Sequence, residues 1–101
     1  VEGGLHYVRS YELVFIVRPD LDRDGTAAVV ERVTGLISRR NGKLLEIEPW
    51  GLRRLAYPIQ KQWEGQYVLM RFEMEPRAVA ELERDLLLLE PVMRHLVVRM
   101  E

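Results

Sequence analysis

The sequence predicts an α+β fold with the element order β-α-β-β-α-β. Three observations carry this reading. Apolar residues alternate with a period of two in Arg9–Val17, Lys43–Ile59, Gly65–Met74 and Val92–Met100. They recur at helical spacing in two other stretches, after Asp20 and after Glu75. Chain breakers stand at the joins: Pro19, Asn41-Gly42, Pro76 and Pro91.

In the first strand, Tyr11, Leu13, Phe15 and Val17 alternate with Ser10, Glu12, Val14 and Ile16. Both faces turn apolar towards the middle, which marks a strand covered on both sides or central in its sheet. Arg18-Pro19-Asp20 ends it, because proline cannot donate to a ladder. One of Asp20, Asp22 and Asp24 is expected to cap the first helix. Its apolar stripe is Ala27, Val30, Val33, Leu36 and Ile37. Arg39-Arg40 complement the dipole of the last turn, and Asn41-Gly42 supplies a left-handed stop.

The second strand reads as long and bent, with a bulge near Gly51 where Pro49-Trp50-Gly51 interrupts it. Beyond the interruption Arg53, Leu55, Tyr57 and Ile59 share one side. Leu52, Arg54, Ala56 and Pro58 share the other. Gln60–Glu64 is expected to form a polar hairpin tip. The return strand places Val68, Met70, Phe72 and Met74 on one face. Glu75-Pro76 opens the second helix, where a missing N–H is harmless. Its stripe is Val79, Leu82, Leu86 and Leu89, and Pro91 is expected to stop it. The last strand sets Leu96, Val98 and Met100 against His95, Val97 and Arg99.

Two split β-α-β units make a ferredoxin-like sandwich: a four-stranded antiparallel sheet of order 4-1-3-2 with both helices on one face. The first and third strands are the most apolar and belong in the centre. Pro49 and Pro58 suit the second strand to an edge. Val30, Val33, Ile37, Val79, Leu82 and Leu86 are expected to be buried against the sheet. Residues 1–8 read as a flexible lead and residues 9–101 as a single domain.

The composition fits a globular chain: 101 residues, 48% hydrophobic and 31% charged. There is no cysteine, so no disulfide framework or thiolate metal site, which fits a reducing compartment. The longest aliphatic and aromatic run, Leu13–Val17, falls far short of the roughly 18 residues of a membrane span. Val1–Val8 lacks the pattern of a secretory signal. The expectation is a soluble, cytoplasmic protein. Its net charge of −1, from 15 basic and 16 acidic residues, argues against holding nucleic acid by charge alone. Yet only Lys43 and Lys61 are lysines, and every other basic residue is arginine. The planar guanidinium fork fits phosphate and carboxylate and stacks on flat surfaces.

The catalytic inventory is thin. His6 and His95 are the histidines and Ser10 and Ser38 the serines, with no nucleophile elbow, triad or metal-ligand spacing among them. The expectation is no enzyme, metal, cofactor or small-molecule substrate. A phosphate loop after the first strand would need exposed backbone N–H groups. That loop instead holds Pro19, Asp20, Asp22 and Asp24, unlike the Gly- and Arg-bearing loop of acylphosphatases. The run from Gly65 to Phe72 only grazes the aromatic pattern of sheet-binding RNA modules, so open-face stacking is not expected as the main mode. His95 reads as a residue that packs or bonds locally, or else as a nucleic-acid or protein contact. The pairs Glu46/Glu48 and Glu73/Glu75 read as solvated edges or salt bridges. The neighbours Arg53 and Arg54 point to opposite faces, either to reach phosphate and a partner or as solvated charges that guard an edge strand.

The segment Trp50-Gly51-Leu52-Arg53-Arg54-Leu55-Ala56-Tyr57-Pro58-Ile59 is the most distinctive. From Gly51 onward it resembles the bacterial small-subunit ribosomal protein S-six family. Arg9-Ser10-Tyr11-Glu12-Leu13, Arg18-Pro19-Asp20-Leu21-Asp22, Gly65-Gln66-Tyr67-Val68 and Val92-Met93-Arg94-His95 match as well, and the likeness runs from about Val8 to Met100. The resemblance implies a structural protein of the small ribosomal subunit. It would contact the central domain of small-subunit rRNA and pair with ribosomal protein S-eighteen, with no membrane partner. It implies Arg9, Arg53, Arg54, Lys61, Arg94 and Arg99 as RNA or partner contacts. A basic partner that shares the RNA would also explain the near-neutral charge. The alternative is a homo-oligomeric ferredoxin-like interaction or regulatory module, an isolated relative of that ribosomal protein.

Overall fold

The computed structural model describes residues 7–100. Along them run β1 (Arg9–Val17), α1 (Arg23–Arg39), β2 (Lys43–Ile59), β3 (Gln62–Met74), α2 (Pro76–Leu87) and β4 (Val92–Arg99). The strands form one antiparallel sheet in the order β2-β3-β1-β4, the expected ferredoxin-like order read from the other edge. Most of the N-terminal lead inferred above lies outside the described residues.

Period-two alternation puts Tyr11, Leu13, Phe15 and Val17 of β1 on the same face as Val68, Met70, Phe72 and Met74 of β3. There they meet Val29, Val33, Leu36 and Ile37 of α1 and Leu82 and Leu86 of α2. This is the main core, and both helices lie over it. The buried line of α1 differs from the expected stripe. Val29 is buried, Val30 is half-buried at the rim and Ala27 is exposed. Residues 29, 33, 36 and 37 lie along one side of a 3.6-residue helix, and Val30 stands 100° round from Val29. Val79 is likewise half-buried rather than buried, packing on the core from its edge.

The helix ends follow local chemistry. Asp22 is the cap of α1: its carboxylate accepts from the Gly25 N–H at 2.7 Å. Asp20 instead accepts two bonds from the Arg18 guanidinium, at 3.2 and 2.9 Å. At the other end Asn41 N–H donates to Ser38 O and Gly42 N–H to Ile37 O, at 3.0 and 2.9 Å, closing a Schellman motif. The left-handed residue is Asn41, at φ 60°. Gly42 serves close approach, since a Cβ there would sit 2.7 Å from Ile37 Cγ2 and 2.9 Å from the Ile37 carbonyl. Helix α2 ends at Leu87, ahead of Pro91. The N–H groups of Leu88 and Leu89 turn back to Asp85 and Leu86 at 3.1 Å each, swinging Leu89 into the core.

Strand β2 is the proline-bearing edge, and it bends as expected at Gly51, whose φ is +83°. The hairpin tip is tighter than the expected Gln60–Glu64. Gln60 and Lys61 alone make the turn, at φ 52° and 66°, and Gln62 already pairs with Ile59. Trp63 and Glu64 therefore belong to β3. The alternation expected across Arg53–Ile59 also fails. Between the pairs Arg54–Glu64 and Ile59–Gln62, β2 spends five residues where β3 spends two. The surplus folds Leu55 onto Ile16 and Met93, a second small core on the face away from the helices. Leu55 is buried while Tyr57, two residues on, is half exposed. The pairing of β1 with β3 ends at Gln66, so the hairpin overhangs the sheet.

Candidate nucleic-acid interface

The open face begins with a lock. Arg71, at the centre of β3, lies opposite Glu12 of β1 and Glu46 of β2 in the strand register. Its Nε donates to Glu12 Oε2 at 2.9 Å and its Nη1 donates to Glu46. The Glu46 hydrogen bond, then that of Glu12, raises the Arg71 pKa above its ordinary value. In the helix layer Arg40 grips Asp85 with two bonds of 3.1 Å and Glu81 with one of 3.2 Å. These two arginines tie elements together, each bonded to two carboxylates. Glu46 thus takes the salt-bridge reading.

The arginines singled out by the sequence are held differently. Arg53 Cζ lies 5.4 Å from the centroid of the Trp50 ring, and Arg54 Cζ lies 5.4 Å from that of Trp63. Arg94 sits 5.7 Å from Tyr57, whose hydroxyl accepts from its Nη1, and Arg9 sits 5.0 Å from Tyr7. Trp50 in turn stacks on Tyr67, with centroids 6.3 Å apart and planes 14° apart. Lys61 is exposed in the hairpin turn, and Arg99 is exposed opposite Tyr11 on β4. Among the described residues none of these six cations is ion-paired. A cation–π contact orients a guanidinium while leaving N–H donors for a ligand.

The six residues fall into two groups. Arg53, Arg54 and Lys61 lie on the overhanging hairpin, and Arg94 reaches it through Tyr57. Arg9 and Arg99 lie at the opposite end of the sheet. Arg94 pairs with Ile16 and Arg99 with Tyr11, about 17 Å apart along the strand at roughly 3.4 Å per residue. Between the folded-over part of β2 and strands β1 and β4 runs a groove of about 310 Å³, lined by Val14, Ile16, Leu55, Tyr57, Tyr67 and Leu96. Leu96 and Val98 continue an exposed apolar strip along β4.

Sequence reasoning missed the rings that hold the arginines: Trp50, Tyr57 and Trp63. A signal was present for Trp50 and Trp63, which stand near Arg53 and Arg54 in the chain, but not for Tyr57, whose partner Arg94 is 37 positions away. The single-strand aromatic pattern does not find them, because Tyr67 receives its stacking partner from the neighbouring strand. His95 takes the local reading: its Nε2 lies 2.8 Å from Glu83 of α2. Among the described residues no cluster of three or more His, Asp or Glu is placed to hold a metal ion. Among them, too, no helix is long and apolar enough to cross a membrane.

Comparison with known proteins agrees with this architecture. A family model described as Ribosomal protein S6 matches residues 10–99. The Small ribosomal subunit protein bS6 of Moorella thermoacetica is 44% identical over 94 residues, 93% of this chain and 96% of that protein. Its namesake from Caldanaerobacter subterraneus is 42% identical over 92 residues, covering 91% and 97%. The crystal structure of 30S ribosomal protein S6 from Thermotoga maritima superposes with a TM-score of 0.87 at 32% identity, over 93% of this chain and 89% of that one.

Proposed function

The chain belongs to the ribosomal protein S6 family of the small ribosomal subunit, and from that premise we propose that it is a structural rather than enzymatic constituent. In this reading it binds the central domain of small-subunit rRNA jointly with ribosomal protein S-eighteen. The observation that carries it is the pairing of Arg53, Arg54 and Arg94 with aromatic rings instead of carboxylates. Arginines held this way keep donors for phosphate, and Lys61 adds a charge at the hairpin tip. Arg9 and Arg99 offer a second contact at the far end of the sheet. The apolar groove beside Arg94, with Leu96 and Val98, suits the protein partner.

The charge sets the affinity. Each neutralised phosphate needs a cation nearby, and a chain of net charge −1 supplies few of them. Binding to RNA alone is therefore weak, and a basic partner makes it tight. Phosphate contacts fix position without reading sequence, so the folded shape of an RNA junction supplies the specificity. Filter binding of a central-domain rRNA fragment at several salt concentrations, with and without the partner, tests this. Strong cooperation is expected. Tight binding without the partner would overturn the joint scheme.

A further inference from the structure

We propose that Trp63 is a stacking site for an unpaired RNA nucleobase, with Arg54 taking the phosphate beside it; this rests on the RNA-binding reading above. The two tryptophans of the chain are used differently. Trp50 is committed to Tyr67 and Arg53. Among the described residues Trp63 stacks on no other ring, and the cation over its ring is the Arg54 guanidinium. It remains 49% exposed on a strand, because the pairing of β1 stops at Gln66 and leaves this part of the hairpin uncovered. Arg54 keeps to the ring although Glu64 stands opposite it in the register, and no ion pair joins them. Lys61 stands two residues away in the turn.

The arrangement supplies an exposed indole, a guanidinium held against it and a further cation at the tip. Every base has a π-face, so a ring of this kind accepts any unpaired base, while the adjoining cations follow the backbone. A duplex offers no splayed base and leaves the indole unused. An exposed, sequence-tolerant ring also suits a protein whose specificity comes from RNA shape.

The test uses the full chain with Trp50→Phe, which leaves Trp63 as the sole indole reporter. Fluorescence quenching is expected on adding a short single-stranded RNA or the central-domain fragment, and none with a blunt duplex. Trp63→Ala should weaken binding of the fragment, with partner present, by roughly 5- to 100-fold at an unchanged salt slope. Trp63→Phe should recover much of that loss. Arg54→Ala should weaken binding and reduce the salt slope by about one. Unchanged affinity in Trp63→Ala alongside a weakened Arg54→Ala would overturn base stacking and leave the RNA reading standing. Quenching by the protein partner alone, with no further change on adding RNA, would give the ring to the protein and also overturn it. Failure of the unmutated chain to bind the fragment with partner present would overturn both readings.

Discussion

The body of the sheet and the overhanging β2–β3 hairpin share two strands, yet they hold positive charge in opposite ways. In the body, three strands lie side by side, and the register sets Glu12 and Glu46 directly opposite Arg71. Cross-strand neighbours of opposite sign bind, and the guanidinium becomes a fastening. In the hairpin Arg53 faces Gly65, which has no side chain to offer, and Arg54 settles on Trp63. Gly65 is glycine for a reason rooted in the body: a Cβ there would sit 2.2 Å from Ile16 Cγ2. The same residue type thus serves cohesion in one region and contact in the other. Neighbouring geometry decides which.

The comparison can be tested from its strongest consequence downward. Leu82→Ala removes a fully buried side chain from the helix-covered core and should destabilise the protein by about 2–5 kcal/mol in a denaturant titration. RNA affinity per folded molecule should stay the same. A loss below about 1 kcal/mol would show that this core collapses around the gap. Gly65→Ala forces Ile16 aside at the root of the hairpin and should destabilise by about 1–3 kcal/mol. Faster amide exchange at Leu55 and Met93 would show that the small open-face core has opened with it. Exchange unchanged at both residues would mean that the hairpin holds its shape without that cluster.

Asp22→Ala removes the cap of α1 and should cost about 1 kcal/mol by thermal melting. The hairpin should respond little, since it meets this segment through the 3.2 Å bond from the Gln66 amide to the Leu21 carbonyl and not through Asp22 itself. The smallest stability effect belongs to the paired change Arg53→Ala with Arg54→Ala. Exposed residues of this kind stay within about 0.5 kcal/mol. The same variant should lower the salt slope of rRNA binding by about two. A stability loss well above that limit would move these arginines into the cohesive class with Arg71. An unchanged slope would return them to solvated charges on an edge strand.

Sequence alone determined what depends on neighbours in the chain. The two hydrophobic periods gave the element order, Pro49 and Pro58 marked the edge strand, and the aspartates after Pro19 announced a cap. Glu75-Pro76 opened α2 as read. The resemblance carried by Gly51–Ile59 pointed to the family and to the arginines. Tertiary structure decided what depends on residues far apart. The surplus of three residues in β2 is set by what Leu55 meets, Ile16 and Met93, which lie some forty positions away on either side. That contact broke the alternation expected through Tyr57 and brought Tyr57 to Arg94. The division of the arginines between carboxylates and rings is also tertiary: register sets Glu12 and Glu46 beside Arg71 and Gly65 beside Arg53, while Arg54 takes the Trp63 ring although Glu64 stands opposite it. Register depends on turn geometry and on which face is buried across the sheet, so the residues of one strand do not carry it by themselves.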